Sequence, residues 1–219
     1  MAALQIEEFS EPAGGPYPPI FRTLYDAEAQ ASLPFDTAQA RQILASNGWV
    51  PGTDGILTRN GERLSFTIVT NAENRRRVDI AQLAEQQWRR LGIDATIQTL
   101  EFNTLFDRAQ NKDFEAIIMG WNVGLSADLY QTWGDPELPF NMVSYDDPQV
   151  QALMQQAVNQ TTEQAAAPYW QEAASLIVAD QPYTWLFYYD KPYGVNNRVQ
   201  GMRIDTLSPY QKVWQWTVE

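Results

Sequence analysis

The sequence predicts an α/β domain built on a mainly parallel central sheet. Three observations carry that prediction. Residues 64–70, 93–100 and 114–121 are short apolar runs rich in β-branched residues, the pattern of strands buried on at least one face. Between the first two lies an amphipathic segment. Val78, Ile80, Ala81, Leu83, Ala84, Trp88 and Leu91 are its apolar positions, and Arg75, Arg76, Arg77, Arg89 and Arg90 are polar. Gly92 stands just past its end, where a residue that accepts positive φ is expected. A shorter helix, from Asn103 to about Asn111, separates the second run from the third. Strand, helix, strand, helix, strand at these spacings makes two consecutive βαβ units, with parallel strands and all carboxyl ends on one edge. Open α/β sheets bind ligands at that edge, so Asn71 to Asn74 and Trp121 to Asp128 are the first candidates for a site.

The remaining elements follow in chain order. Residues 1–35 carry Pro12, Pro16, Pro18, Pro19 and Pro34 with Gly14 and Gly15, which predicts extended, irregular chain that must lie over something to be ordered. Asp36 is placed to cap a helix whose apolar positions are Ala38, Ala40, Ile43 and Leu44 and which ends at Gly48, with Trp49 packing beyond. Asp54-Gly55 marks a turn. Asn60-Gly61 marks a two-residue hairpin between Ile56-Leu57 and Leu64–Phe66. Past the third strand, Ser126 is placed to cap a short helix through Trp133, and residues 134–146 read as loop. Asp147-Pro148 starts a helix with the stripe Val150, Leu153, Met154, Ala157 and Val158. Another runs from Thr161 or Thr162 to about Ala179, with Pro168 in or near its first turns and Tyr169, Trp170, Ala173, Leu176 and Ile177 on its buried side. Residues 184–189 form a last strand, expected to join the sheet or lie beside it. The tail reads as short strands and turns.

Composition narrows the function. Lys and Arg number 15 against 27 Asp and Glu, a net charge of −12. Such a surface repels nucleic acid and anionic membranes, so no nucleic-acid partner is expected. Cysteine and histidine are absent, which removes disulfides, thiol nucleophiles, Cys/His metal sites and the usual general base near neutral pH. No apolar run reaches the length of about 18 residues that spans a bilayer. The first residues lack the basic start and apolar core of a signal peptide, so the chain is expected to be cytoplasmic or to derive from a longer precursor.

Taken together, the segments resemble the C-terminal half of the family 5 extracytoplasmic solute-binding proteins. The resemblance rests on an ordered series of pieces. Gly15-Pro16-Tyr17-Pro18-Pro19, Phe35-Asp36-Thr37-Ala38-Gln39-Ala40-Arg41, Asn47-Gly48-Trp49, Asp54-Gly55-Ile56-Leu57 and Asn60-Gly61 come first. Leu91-Gly92-Ile93-Asp94, Phe114-Glu115-Ala116, Gly120-Trp121, Asn141 before Tyr145, Asp147-Pro148-Gln149-Val150 and Gln181-Pro182-Tyr183 complete it. The resemblance implies a periplasmic-binding-protein-like (type II) lobe that captures a small solute, an oligopeptide or oligosaccharide, without covalent chemistry. It implies an ABC permease as partner, an extracytoplasmic location for the full-length parent, and an N-terminal lobe lying outside this sequence. The expected organisation is a lead-in over 1–35, the solute-binding lobe over 36–189, and a tail over 190–219 that returns toward the other lobe. The alternative is a stand-alone lobe acting as an interaction module. Self-association through the open cleft face or the termini is a further expectation.

Eight residues are candidates for ligand contact. Asn71 and Asn74 stand where the first strand meets a helix start, a place suited to polar or anionic groups, although Asn74 also suits a plain N-cap. Trp121, Tyr130 and Trp133 are candidates for stacking on a sugar or a peptide side chain, with core packing as the alternative. Asn122 follows Trp121, and Asn141 is a candidate donor to ligand backbone or a loop-turn residue. The resemblance implies an acidic residue just after Gly120-Trp121 that pairs with a ligand ammonium. The sequence has Val123-Gly124-Leu125 there, so Asp128 is the candidate, with a helix-start role as its alternative. Asp54-Gly55 with Asn60-Gly61 lacks the full spacing of a calcium loop. Asp146 and Asp147 are adjacent, which does not suit a glycosidase pair. No catalytic residue, metal or cofactor is therefore expected.

Overall fold

The computed structural model describes residues 10–30, 33–122, 124, 128–204, 208 and 210–219. Ser126, read above as a helix cap, lies outside the described residues. In chain order the elements are β1 (Ser10–Pro12), α1 (Thr37–Ser46), β2 (Val50–Pro51), β3 (Leu57–Arg59), β4 (Glu62–Arg63), β5 (Ser65–Asn71), α2 (Arg75–Arg89) and β6 (Asp94–Leu100). Then come α3 (Phe102–Gln110), β7 (Ala116–Ile117), α4 (Tyr130–Trp133), α5 (Pro148–Val158), α6 (Glu163–Asp180), β8 (Phe187–Tyr189), β9 (Val199–Gln200) and β10 (Thr217–Val218).

The central sheet is parallel, in the order β6-β5-β7. β5 pairs with β6 along its whole length, from Ser65 opposite Asp94 to Asn71 opposite Leu100. It pairs with β7 only at Ile68–Ala116 and Val69–Ile117. The third strand is thus much shorter than the run 114–121. At its start the Glu115 carboxylate accepts the Thr67 N–H at 2.8 Å, which takes the place of a ladder carbonyl. At its end the Ile118 N–H reaches the Val69 carbonyl at 3.0 Å, and beyond that the chain leaves the sheet toward Gly120 and Trp121. α2 covers one face. Ile68, Ala81 and Ala95 are buried there, with Phe66 edge-on to Trp88 at 5.2 Å. α3 covers part of the other through Leu105 and Ala109, both fully buried.

Local chemistry sets the element ends. Asp36, Asn74, Glu101, Asp147 and Thr162 each accept backbone N–H groups of the first turn of their helices, satisfying donors that have no partner within the helix. Asn60 (φ 56°) and Gly61 (φ 88°) both take positive φ, the type I′ turn that matches the twist of a β3–β4 hairpin. Gly92 sits at φ 84°, and a Cβ there would stand 2.8 Å from the Gly55 carbonyl oxygen. Gly92→Ala is therefore expected to lower stability by about 2 kcal/mol, from left-handed strain and displacement of the hairpin. Urea unfolding monitored by circular dichroism measures it, and a change within error would refute the assignment.

A second core lies between α5 and α6. Val150, Met154, Ala173 and Ile177 are fully buried there, together with Trp133 and with Tyr17 and Leu24 of the lead-in. The proline-rich start is ordered because it drapes over this helix pair. The Tyr188 hydroxyl donates to the carbonyls of Gly15 (2.8 Å) and Tyr17 (2.9 Å). β1 and β8 form an antiparallel two-stranded ribbon with Ser10 opposite Tyr189. The last predicted strand accordingly pairs outside the parallel sheet, and the Arg76 guanidinium stacked 3.9 Å over the Tyr189 ring holds it beside the start of α2.

Candidate functional site

The carboxyl edge of the sheet collects the end of β5, the start of α2 and the chain leaving β7. Asn71 ends β5 and is buried; its Oδ1 accepts from Arg77 Nη1 at 2.8 Å. Asn74 uses its side chain to cap α2, accepting the Arg77 N–H at 3.2 Å, so its structural role is the one the geometry displays. Burial pushes the Arg77 guanidinium pKa downward. Its Nη2 would lie 3.4 Å from a Cβ added at Gly120, which places the charge against the exposed backbone just past β7. Arg75 pairs with Asp79 at 2.7 Å, pointing along the helix.

Trp121 is 44% exposed on this edge. Its ring meets Phe140 edge-on at 6.0 Å, and the Tyr183 phenol lies beside it. Asn122 is exposed and accepts from Lys191 Nζ at 2.9 Å. Asp128 is exposed too, and its Oδ1 accepts the Tyr130 N–H at 2.8 Å at the start of α4. Tyr130 is half-buried between Gly134 and α5, its hydroxyl 3.4 Å from Gln155 Nε2.

Two candidates stand away from the edge. Trp133 is 2% exposed and packs among Tyr145, Tyr183 and Trp185, with ring centroids 4.6 to 6.0 Å away. Asn141 is fully buried. Its amide donates to the carbonyls of Asp135 (2.9 Å) and Tyr145 (2.8 Å) and accepts the Tyr145 N–H (2.9 Å), closing the loop between α4 and α5. Both side chains are enclosed in the core in this structure. Arg77, Phe140, Tyr183 and Lys191 also stand near residues 120–122. The sequence shows Arg77 only as a polar position of an amphipathic helix, and nothing local in it brings the other three there.

Burial pushes the phenols of Tyr183 and Tyr188 up from 10.0 to about 12, the neighbouring Trp121 partly opposing this at Tyr183. The fold therefore prefers the neutral phenols. Their contribution to stability is complete below pH 10 and is lost as pH rises toward about 12. Thermal unfolding midpoints should fall across that window in step with tyrosinate absorbance. A flat profile between pH 10 and 12 would contradict the burial of these side chains.

On the sheet face that carries α3 lies a half-open depression of about 430 Å³ between Thr67, Gln98, Arg108 and Glu115. Its cations already have partners: Arg108 donates to Asp113 and Gln98, and Lys112 donates to the Pro136 carbonyl. No group of three or more His, Cys, Asp or Glu side chains able to hold a metal occurs among the described residues.

The carboxyl edge of this open parallel sheet thus presents an exposed indole, amides and cations. The chain belongs to the bacterial extracellular solute-binding proteins, family 5, whose middle region residues 3–135 match. It is 28% identical over 187 residues to the oligopeptide-binding protein AppA of Bacillus subtilis (strain 168), covering 83% of this chain and 34% of that relative. The structure of that AppA in complex with a nonapeptide superposes with a TM-score of 0.83 at 26% identity, over 98% of this chain and 44% of the other. Two structures share the fold at 19% identity. The oligopeptide-binding protein of Thermus thermophilus complexed with a pentapeptide gives 0.81, over 95% of this chain and 39% of that one. NikZ of Campylobacter jejuni in complex with Ni(L-His) gives 0.76, over 96% and 44%. The lobe is thus of the type II periplasmic-binding-protein class, and the chain spans about a third of the length of its curated relative.

Proposed function

We propose that this chain forms one wall of a receptor that captures oligopeptides non-covalently for an ABC importer, outside the cytoplasm. The observation that carries the reading is the exposed Trp121 at the carboxyl edge of the parallel sheet, in a lobe that superposes on a nonapeptide-bound relative. Asn71, Asn122 and Asp128 supply polar contacts around it, and Tyr130 lies behind. In this reading the body of the lobe is residues 36–189, 1–35 is its lead-in, and 190–219 is the tail that would return toward a second lobe in a receptor of its relatives' length. Such a receptor closes two walls on its ligand, and most of the affinity comes from burying the ligand between both.

A single wall leaves much of the ligand in water. This chain alone should bind short peptides at millimolar rather than micromolar concentration, a difference of about 4 kcal/mol. The faces turned to a second lobe, including Trp214 at 78% and Tyr210 at 68% exposure, favour self-association. Calorimetric titration of a peptide library and light scattering across a concentration series test the two parts. Trp121→Ala should weaken peptide binding about tenfold, the order of a lost stacking contact. A monomer that binds no peptide would refute the receptor reading and favour a lobe with a purely structural role.

A further inference from the structure

Against a net charge of −12, two cations stand at residues 120–122 on the sheet's carboxyl edge: Arg77 beside Gly120 and Lys191 on Asn122. Arg76 is engaged with the Tyr189 ring. Arg77 is different: half-buried, it is hydrogen-bonded to a neutral amide, and among the described residues no carboxylate lies within ion-pair distance of it or of Lys191. A partly desolvated guanidinium with a neutral partner retains unmet demand for an anion, and its planar fork suits a carboxylate. Beside it, Gly120 is exposed and has no side chain to fill the space, and Trp121 and Phe140 (39% exposed) follow. The start of α2 adds nothing to this, because Asn74 already caps it. The first polar group past Trp121 is the Asn122 amide, held by an ammonium, where a site for a ligand's amino end would place a carboxylate.

We infer that this edge receives a carboxylate of the ligand on Arg77 beside Gly120, with an apolar group of the ligand against Trp121 and Phe140. The inference rests on the peptide-receptor reading and deepens it: the preferred solutes are peptides presenting an anionic end next to a large apolar side chain. Both the C-terminal carboxylate and an acidic side chain offer that chemistry.

The test compares three probes on the whole chain by NMR, following the Gly120 amide and the Trp121 indole. They are N-acetyl-Ala-Ala-Phe as the free acid, the same peptide as its C-terminal amide, and N-acetyl-Ala-Asp-Phe-amide. The acid should bind about tenfold more tightly than the amide, the order of one charge-assisted contact. If the Asp peptide matches the acid, a side-chain carboxylate serves as well; if it matches the amide, the terminus is required. Arg77→Gln should abolish the preference for acid, bringing the affinity of the free acid down to that of the amide. Arg77→Lys, which keeps the charge, should retain part of it, and this guards against a folding defect in the first variant. Equal binding of acid and amide would overturn the inference and leave the receptor reading standing. Absence of binding by all three would remove both.

Discussion

Trp133→Ala is expected to lower the unfolding free energy by about 4 kcal/mol, the largest effect of any single substitution considered. The indole is 2% exposed and is the hub of an aromatic group, 4.6 Å from Tyr183, 5.6 Å from Tyr145 and 6.0 Å from Trp185. Its removal leaves a cavity in the core that also holds Ala173 and Ile177, and close-packed cores relax only partially around such a void. It also loosens Tyr183, a neighbour of Trp121, so the carboxyl edge of the sheet should lose order with the core. Urea unfolding gives the stability, and the Trp121 indole resonance gives the coupling. A loss below about 1 kcal/mol would place Trp133 at a plastic site instead of a packed one.

The second large effect is expected at Asn141. Removing its side chain takes away the partner of the part-buried Asp135 and Tyr145 carbonyls and of the Tyr145 N–H. An unsatisfied buried group costs roughly 1–3 kcal/mol, so Asn141→Ala should destabilise by about 3 kcal/mol. Asn141→Asp should do no better, since a carboxylate cannot donate to two carbonyls. The discriminating measurement is a pair: stability must fall, while peptide affinity of the folded fraction stays within about twofold of the parent. A variant that keeps its stability and loses peptide binding would restore Asn141 to the ligand edge.

Much of the fold was legible because its determinants are local. Asp36, Asn74, Asp147 and Thr162 cap the helices that their spacing announced, and Asn60-Gly61 makes the turn that only positive φ allows. The candidate site was half legible. The edge followed from strand order, but on that edge the sequence could not rank one tryptophan against another. Trp121 and Trp133 are the same residue type 12 positions apart, and one stands in solvent while the other is enclosed.

By itself, then, the sequence determined the parallel βαβαβ core, the starts of α1, α2, α5 and α6, the Asn60-Gly61 turn and the family. The hairpin's second arm proved to be Glu62–Arg63 rather than Leu64–Phe66, and the Glu101 cap of α3 went unread. Only the tertiary structure decided three other matters. It set β8 against β1 across the length of the chain, ordering the proline-rich start through Tyr188 and the carbonyls of Gly15 and Tyr17. It sent Trp133 and Asn141 inward. It brought Arg77 to Gly120 and Lys191 to Asn122, building a cationic edge on an acidic protein. Each of these depends on contacts between residues far apart in sequence. Such contacts form only when burial of both cores fixes where the chain returns, so no local pattern encodes them.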